Sequence, residues 1–98
     1  MKYFMVEGNL KTSEPIEDNI MQEHMAYSGK AMEKGLILMT GIKEDMSGVI
    51  FVMKAEKSES VEEYLSHEPL KINGIQEYKF IEFSPHYFNP SPEKWFNK

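Results

Sequence analysis

Two side chains of this sequence are suited to proton transfer, and the first is His24. An imidazole changes protonation near neutral pH and can serve as a general acid or base. The apolar periodicity of the stretch from Pro15 to Lys34 predicts a helix that carries His24 on its apolar face. A buried polar group without a partner costs on the order of 1–3 kcal/mol, so an inward His24 needs a hydrogen-bond partner. Lone histidines on such faces are more often structural than catalytic, and that interpretation stays open.

The second side chain is Glu68, which directly precedes Pro69 at the predicted end of a second helix. A proline disfavours helical geometry in the residue before it, so the chain turns at Glu68. Its carboxylate can then point back toward the first helix, because the two helices are expected side by side on a sheet. A carboxylate that reached the His24 ring would fix its tautomer, as the aspartate of a catalytic triad does. A solvated carboxylate at a helix end is the other interpretation.

The remaining candidates carry weaker signals. His67 lies at an exposed helix end, His86 lies near the C-terminus, and Glu17 is a reserve partner on the face of His24. The histidines show neither an i, i+4 nor a His-x-His spacing, so no metal site is predicted. Glycine-rich nucleotide motifs and the Gly-x-Ser-x-Gly elbow are missing from the sequence. Proton transfer without a cofactor is the chemistry that remains.

Composition narrows the class of protein further. The 98 residues carry a formal net charge of −5 and no cysteine. Nucleic acid and anionic membranes need a basic face, so neither is expected as a partner. The longest apolar run, Val49–Met53, is far below the roughly 20 residues of a spanning helix, and Tyr3–Val6 is too short for a signal peptide. We therefore expect a soluble, cytoplasmic protein without disulfides.

The patterning predicts four strands and two helices in the order strand, helix, strand, strand, helix, strand. Ser13 is the expected N-cap of the first helix, and the Ser60–Glu63 capping box is expected to open the second. The predicted strands are Lys2–Asn9, Leu36–Ile42, Val49–Met53 and Ile75–Phe83. Right-handed crossovers fold this order into an α+β, ferredoxin-like βαββαβ domain with a four-stranded antiparallel sheet.

Both helices cover one face of this sheet, and the other face carries apolar side chains as well. Because a large bare apolar face is unstable in water, we expect a homodimer that packs sheet against sheet. The domain is predicted over residues 1–88, followed by a tail over residues 89–98 that is rich in proline and aromatic residues. A disordered tail rarely carries so many aromatics, so the tail is expected to dock on its own protomer or on a partner.

Several short motifs, in this order and spacing, resemble the YciI-like (YCII-related) proteins. They are the Lys2–Val6 strand, the Glu23–Tyr27 run, the Met39–Gly41 strand end, the His67–Leu70 helix end and Pro85 after the last strand. The resemblance covers roughly residues 1 to 88. It implies a ferredoxin-like domain that dimerises through its sheets, as in the dimeric α/β-barrel superfamily that includes muconolactone isomerases.

The resemblance also implies a cleft with a dyad proposed to be catalytic. The dyad combines a histidine of the first helix with an aspartate of an Asp-Pro-aromatic motif after the second. His24 matches the histidine, Glu68 occupies the aspartate position, and Leu70 replaces the aromatic residue. A few family members are similar to lyases or dehalogenating enzymes that act on small cyclic substrates, whereas most have no assigned reaction.

Together these features predict a cofactor-independent lyase or isomerase that acts on a small organic acid or phenol-like substrate, with a cyclic compound as the expected case. His24 would transfer the proton, Glu68 would orient it, and Tyr3, Thr40 and Tyr78 would form the cleft wall. The alternative is a dimeric module that binds a small ligand or acts as an accessory protein, in which His24 is structural. A heme- or oxygen-handling monooxygenase of the same superfamily is a third interpretation.

Overall fold

The computed structural model describes residues 1–96 and contains one antiparallel sheet with helices on one face. The strands are β1 (Lys2–Leu10), β2 (Ile37–Ile42), β3 (Gly48–Ala55) and β4 (Gln76–Phe83). The helices are α1 (Asp18–Glu33), α2 (Ser58–Ser66), α3 (Pro69–Ile72) and α4 (Pro92–Trp95). The strand order β2-β3-β1-β4 is that of the ferredoxin-like fold, and β1 pairs with both β3 and β4. The predicted α+β architecture is confirmed.

The core lies between the sheet and the helices and follows from alternation along the strands. In β1, Phe4 and Val6 are fully buried, while the alternate residues Tyr3 and Met5 face the other way. The buried apolar residues form one cluster from both layers: Phe4, Val6, Ala31, Ile37, Phe51, Met53, Ala55, Val61 and Leu65. This cluster fixes α1 and α2 on the same side of the sheet, where side chains from both helices can meet.

The first helix begins later than predicted. It starts at Asp18, and its N-cap is Glu17, with φ −59° and ψ 142°, rather than Ser13. The Thr12 hydroxyl accepts a hydrogen bond from the Glu14 backbone N–H before the proline, and residues 15–17 are not yet helical. At the other end Gly35 has φ +76°, as expected for a glycine that ends a helix.

The second helical region is two helices rather than one. The first, α2, starts at Ser58, two residues before the predicted capping box at Ser60, and no side chain caps it. It ends at Ser66, and Pro69 then begins α3. Proline suits the first helical position because its missing N–H has no partner to lose there. Pro69 therefore ends one helix, as predicted, and also starts the next.

Two surfaces of the described chain remain uncovered. The sheet face opposite the helices exposes Met5, Ile50 and Ile81 by 43%, 41% and 71%. In the tail, Trp95 and Phe96 are 66% and 49% exposed, so docking of the tail on its own protomer is not observed. Docking on a partner stays a prediction, and the last two residues of the predicted tail lie outside the described residues. Within residues 1–96, no helix has the length and apolarity needed to cross a membrane.

Candidate active site

The site is built around Glu68, the residue between α2 and α3. Its backbone is extended, with φ −68° and ψ 129°, as the following proline requires. It is the N-cap of α3, and its Oε2 accepts a hydrogen bond of 2.9 Å from the Leu70 backbone N–H. Only 2% of Glu68 is exposed. The chain therefore buries a carboxylate at a fixed position facing α1.

His24 of α1 meets this carboxylate. Its Nδ1 is hydrogen-bonded to Glu68 Oε1, and the His24 side chain is 20% exposed. The other oxygen, Oε2, accepts a second hydrogen bond of 2.8 Å from the Tyr78 hydroxyl. An ionised carboxylate only accepts, and every other group around Glu68 donates. In a neutral His24 ring, a proton on Nδ1 satisfies this carboxylate, and the lone pair is then on Nε2.

Tyr78 is held in turn by Gln76, two residues earlier on the same face of β4. The Gln76 Nε2 donates a 2.7 Å hydrogen bond to the Tyr78 hydroxyl, and Gln76 is 1% exposed. Burial and the neighbouring Glu68 charge raise the pKa of Tyr78 well above its ordinary value. Tyr78 therefore stays protonated and donates to Glu68 at neutral pH.

Gly8 of β1 makes room for this chain of hydrogen bonds. A Cβ at position 8 would lie 2.8 Å from Cε1 of Tyr78 and 3.0 Å from the amide carbon of Gln76. Both distances are shorter than ordinary van der Waals contacts, so a larger residue would displace both side chains. β1 thus contributes to the site because Gly8 has no side chain and leaves room for Tyr78 and Gln76.

A cavity of about 800 Å³ opens beside the His24–Glu68 pair, between α1, α3 and the inner face of the sheet. Among the predicted wall residues, Thr40 and Tyr78 line it together with His24 and Glu68. Within residues 1–96 no protein group is hydrogen-bonded to Nε2 of His24. This nitrogen is therefore the one available to a molecule in the cavity.

The placement of Tyr3 in the cleft wall is wrong. Tyr3 lies on the exposed face of the sheet, because its neighbour Phe4 faces the core and successive strand residues point to opposite faces. The weaker candidates also stay apart from the cavity. The His67 ring is exposed and hydrogen-bonded through Nδ1 to the Glu63 carbonyl, and Glu17 is not the partner of His24. In the part of the chain that the structure describes, no cluster of three or more His, Asp or Glu residues is arranged to hold a metal.

Sequence reasoning missed Gln76 as a site residue. The available signal was its position two residues before Tyr78, which places both side chains on one face of β4. An amide on an inward strand face needs a polar partner, and the Tyr78 hydroxyl is one. The pair could have been predicted once Tyr78 was placed in the cleft.

The fold and this site define a class of protein, the α+β domains of ferredoxin-like fold with a four-stranded antiparallel sheet. Similar solved structures include the 5-chloro-2-hydroxyhydroquinone dehydrochlorinase of Burkholderia phenoliruptrix AC1100 in complex with 2,5-dihydroxybenzoquinone. It has 15% sequence identity and a TM-score of 0.60, and the match covers 88% of this chain and 95% of that one. An antibiotic biosynthesis monooxygenase matches at 12% identity and a TM-score of 0.56, over 87% and 99% of the two chains. These similarities establish the fold.

The sequence itself gives the family. The model of the YCII-related domain matches residues 1–84, and the chain belongs to this family. No curated protein matches the chain. The predicted family membership is confirmed, whereas the domain boundary at residue 88 stays a prediction.

Proposed function

We propose that the protein is a cofactor-independent lyase or isomerase in which His24 transfers a proton to and from a small organic substrate. The observation that carries this proposal is the orientation of His24. Glu68 holds Nδ1, and Nε2 is left for a ligand in the cavity. Glu68 is itself held by two further donors, so the carboxylate that orients the His24 ring has a fixed position.

The proposed reaction begins when Nε2 accepts a proton from an acidic O–H or C–H of the substrate. The imidazolium that forms is stabilised by the Glu68 carboxylate, whose oxygens accept from the Leu70 N–H and the Tyr78 hydroxyl. In an isomerisation His24 returns the proton to another atom of the substrate. In an elimination the leaving group departs with its bonding electrons and a double bond forms. His24 then gives up its proton to the leaving group, so the products are the unsaturated compound and the conjugate acid of the leaving group.

The first substrate to test is the one that the similar dehydrochlorinase acts on, 5-chloro-2-hydroxyhydroquinone. A panel of other small hydroxylated rings should accompany it, because fold similarity does not transfer a substrate. Turnover is read as chloride release or as a change in ultraviolet absorbance. General acid–base catalysis contributes about 10²–10⁴-fold, so His24→Ala should lower kcat/KM by at least about 10²-fold for any substrate found.

His67→Ala is the matched control, because His67 is exposed and lies outside the cavity. It should retain the rate of the unchanged protein. Equal rates for His24→Ala and the unchanged protein would overturn the proposal. A ligand that binds beside His24 without any turnover would favour the second candidate function, a ligand-binding module, which the mostly apolar cavity wall also suits.

We also propose that two copies pair through the exposed sheet face. The support is the row of exposed apolar residues there, which includes Met5, Ile50 and Ile81. Such a patch on a soluble domain marks an interaction surface. The site described above lies on the other face of the sheet, so pairing would leave the cavity beside His24 in place.

A further inference from the structure

The mouth of the cavity is apolar and exposed. Met25 of α1, Ile42 at the end of β2 and Met46 of the β2–β3 turn all line the cavity. They are 64%, 67% and 68% exposed, so the described chain leaves most of their apolar surface uncovered. Methionine adapts its shape to irregular apolar partners. The mouth therefore suits an apolar molecule of variable shape.

Met46 adopts a backbone conformation that is unusual for its residue type. Its φ is +64°, and it is the one non-glycine residue with positive φ among residues 1–96. Glycine, asparagine and aspartate are the residues that tolerate this region, and a bulky side chain there is an outlier. The exposed side chain gains little burial that would offset the strain. Strained positions of this kind concentrate at functional sites.

The charges of the cavity restrict its ligand. No lysine or arginine lines it within the described residues, and Glu68 is its one acidic residue. A carboxylate or phosphate ligand would lie near the Glu68 charge without a cation to pair with. If His24 takes up a proton, that charge is already paired with Glu68. A hydroxyl group, by contrast, can donate to the free Nε2.

The cavity is also larger than a single ring requires. A cavity of about 150 Å³ is enough to hold benzene. The cavity beside His24 measures about 800 Å³ and extends from the Glu68 end to the methionines at the mouth. The unused volume is bounded by apolar side chains.

We infer that the substrate is an uncharged hydroxylated ring, a phenol or enol, that carries an extended apolar substituent. The hydroxyl lies at Nε2 of His24, and the substituent lies against Met25, Ile42 and Met46. The position of the hydroxyl rests on the proposed function. The inference of an apolar substituent depends only on the residues at the mouth of the cavity.

The test measures affinity by isothermal titration calorimetry at pH 7 for phenol and its para-ethyl, para-butyl and para-hexyl derivatives, with para-hexylbenzoate as the charged comparison. Burial of each methylene should lower Kd by about two- to fourfold. Para-hexylbenzoate should bind at least about tenfold more weakly than para-hexylphenol, because its carboxylate finds no cation. Affinity that is equal across the series, or tighter for the benzoate, would overturn the inference.

Two methionine variants locate the substituent. Met46→Ala should reduce the gain in affinity per methylene, whereas Met32→Ala should preserve it. Met32 is also an exposed methionine, at 42%, but it does not line the cavity. An unchanged gain in Met46→Ala would place the substituent elsewhere and contradict the assignment.

The same titrations separate this inference from the proposed function. Binding is measured without turnover, so affinity that rises with chain length supports the substrate class even if His24→Ala leaves turnover unchanged. Binding that disappears as the protein concentration increases would show that a second copy covers the mouth, and it would overturn the inference.

Discussion

Glu68 is placed by its own local sequence. Its contacts explain how a glutamate can contact His24 at a position where the family resemblance implies an aspartate. The N-cap position fixes the backbone, and the Leu70 N–H and the Tyr78 hydroxyl fix the carboxylate. The longer glutamate side chain thereby reaches His24 from the loop between α2 and α3. A flexible side chain that is held at both oxygens acts as a rigid one.

At the same scale, the strain at Met46 predicts a gain in stability when the side chain is removed. Left-handed geometry costs a non-glycine residue about 1–2 kcal/mol, and glycine avoids this cost. Glycine also makes the unfolded chain more flexible, which offsets roughly 0.5–1 kcal/mol of the stability gained. Met46→Gly should therefore raise the free energy of unfolding by up to about 1 kcal/mol in urea denaturation. Met46→Ala keeps the strained geometry and should show no gain. A loss of stability in Met46→Gly would contradict the strain.

The residue-level site could be predicted only in part. The meeting of His24 and Glu68 followed from helix periodicity and from the effect of Pro69 on the residue before it. The strain at Met46 had no sequence signal, because the conformation of a turn residue depends on how the two strands it joins are registered. Tyr3 was misplaced because a strand with apolar residues on both faces gives no indication of which face is inward.

At the scale of elements, α2 contributes a tyrosine that links the core to the site. Tyr64 stacks on Tyr27 of α1, with ring centroids 4.7 Å apart, and its backbone carbonyl accepts a 2.6 Å hydrogen bond from the Tyr27 hydroxyl. Burial and the neighbouring Tyr27 raise the pKa of Tyr64 to about 12. The contact holds α1 against α2 next to the cavity.

This pKa predicts a pH dependence of stability. Below the unfolded-chain pKa of about 10, both states hold the proton and the contribution of Tyr64 is complete. Above it the unfolded chain releases the proton first, so stability falls as the pH rises from about 10 toward the folded value of about 12. In urea denaturation across this pH range, the free energy of unfolding should fall less steeply for Tyr64→Phe than for the unchanged protein. The difference in slope should be up to about 1.4 kcal/mol per pH unit. Identical slopes would contradict the raised pKa.

The order and type of the main elements were predictable because hydrophobic periodicity and turn residues agree along the chain. The starts of α1 and α2 were not. Ser13 and Ser60 have the residue types of N-caps, but the Thr12–Glu14 turn delays the first helix, and the second begins upstream of its capping box. Side chains that are able to cap outnumber the caps that form, and the surrounding chain selects among them.

At the scale of the whole molecule, the exposed sheet face predicts a homodimer. Size-exclusion chromatography with light scattering should give twice the chain mass of 11.4 kDa at micromolar concentration. Ile81→Lys places a charge on this face, where Ile81 is 71% exposed, and should weaken dimerisation at least about tenfold. Ile72→Lys is the control, because Ile72 is 64% exposed but lies on α3, on the other side of the sheet.

A monomeric mass for the unchanged protein would contradict the pairing through the sheet. A dimer that Ile81→Lys leaves intact would assign the interface to another surface, such as the aromatic tail. Trp95 and Phe96 are 66% and 49% exposed there.

The proposed chemistry requires Glu68 to hold a neutral His24 with its proton on Nδ1 and its lone pair on Nε2. Long-range proton–nitrogen NMR correlation on imidazole-labelled protein measures this tautomer directly. The spectrum of neutral His24 should show a protonated Nδ1 and an unprotonated Nε2, and Glu68→Ala should shift the ring toward the Nε2–H tautomer that free histidine prefers. An Nε2–H tautomer in the unchanged protein, insensitive to Glu68→Ala, would contradict the account.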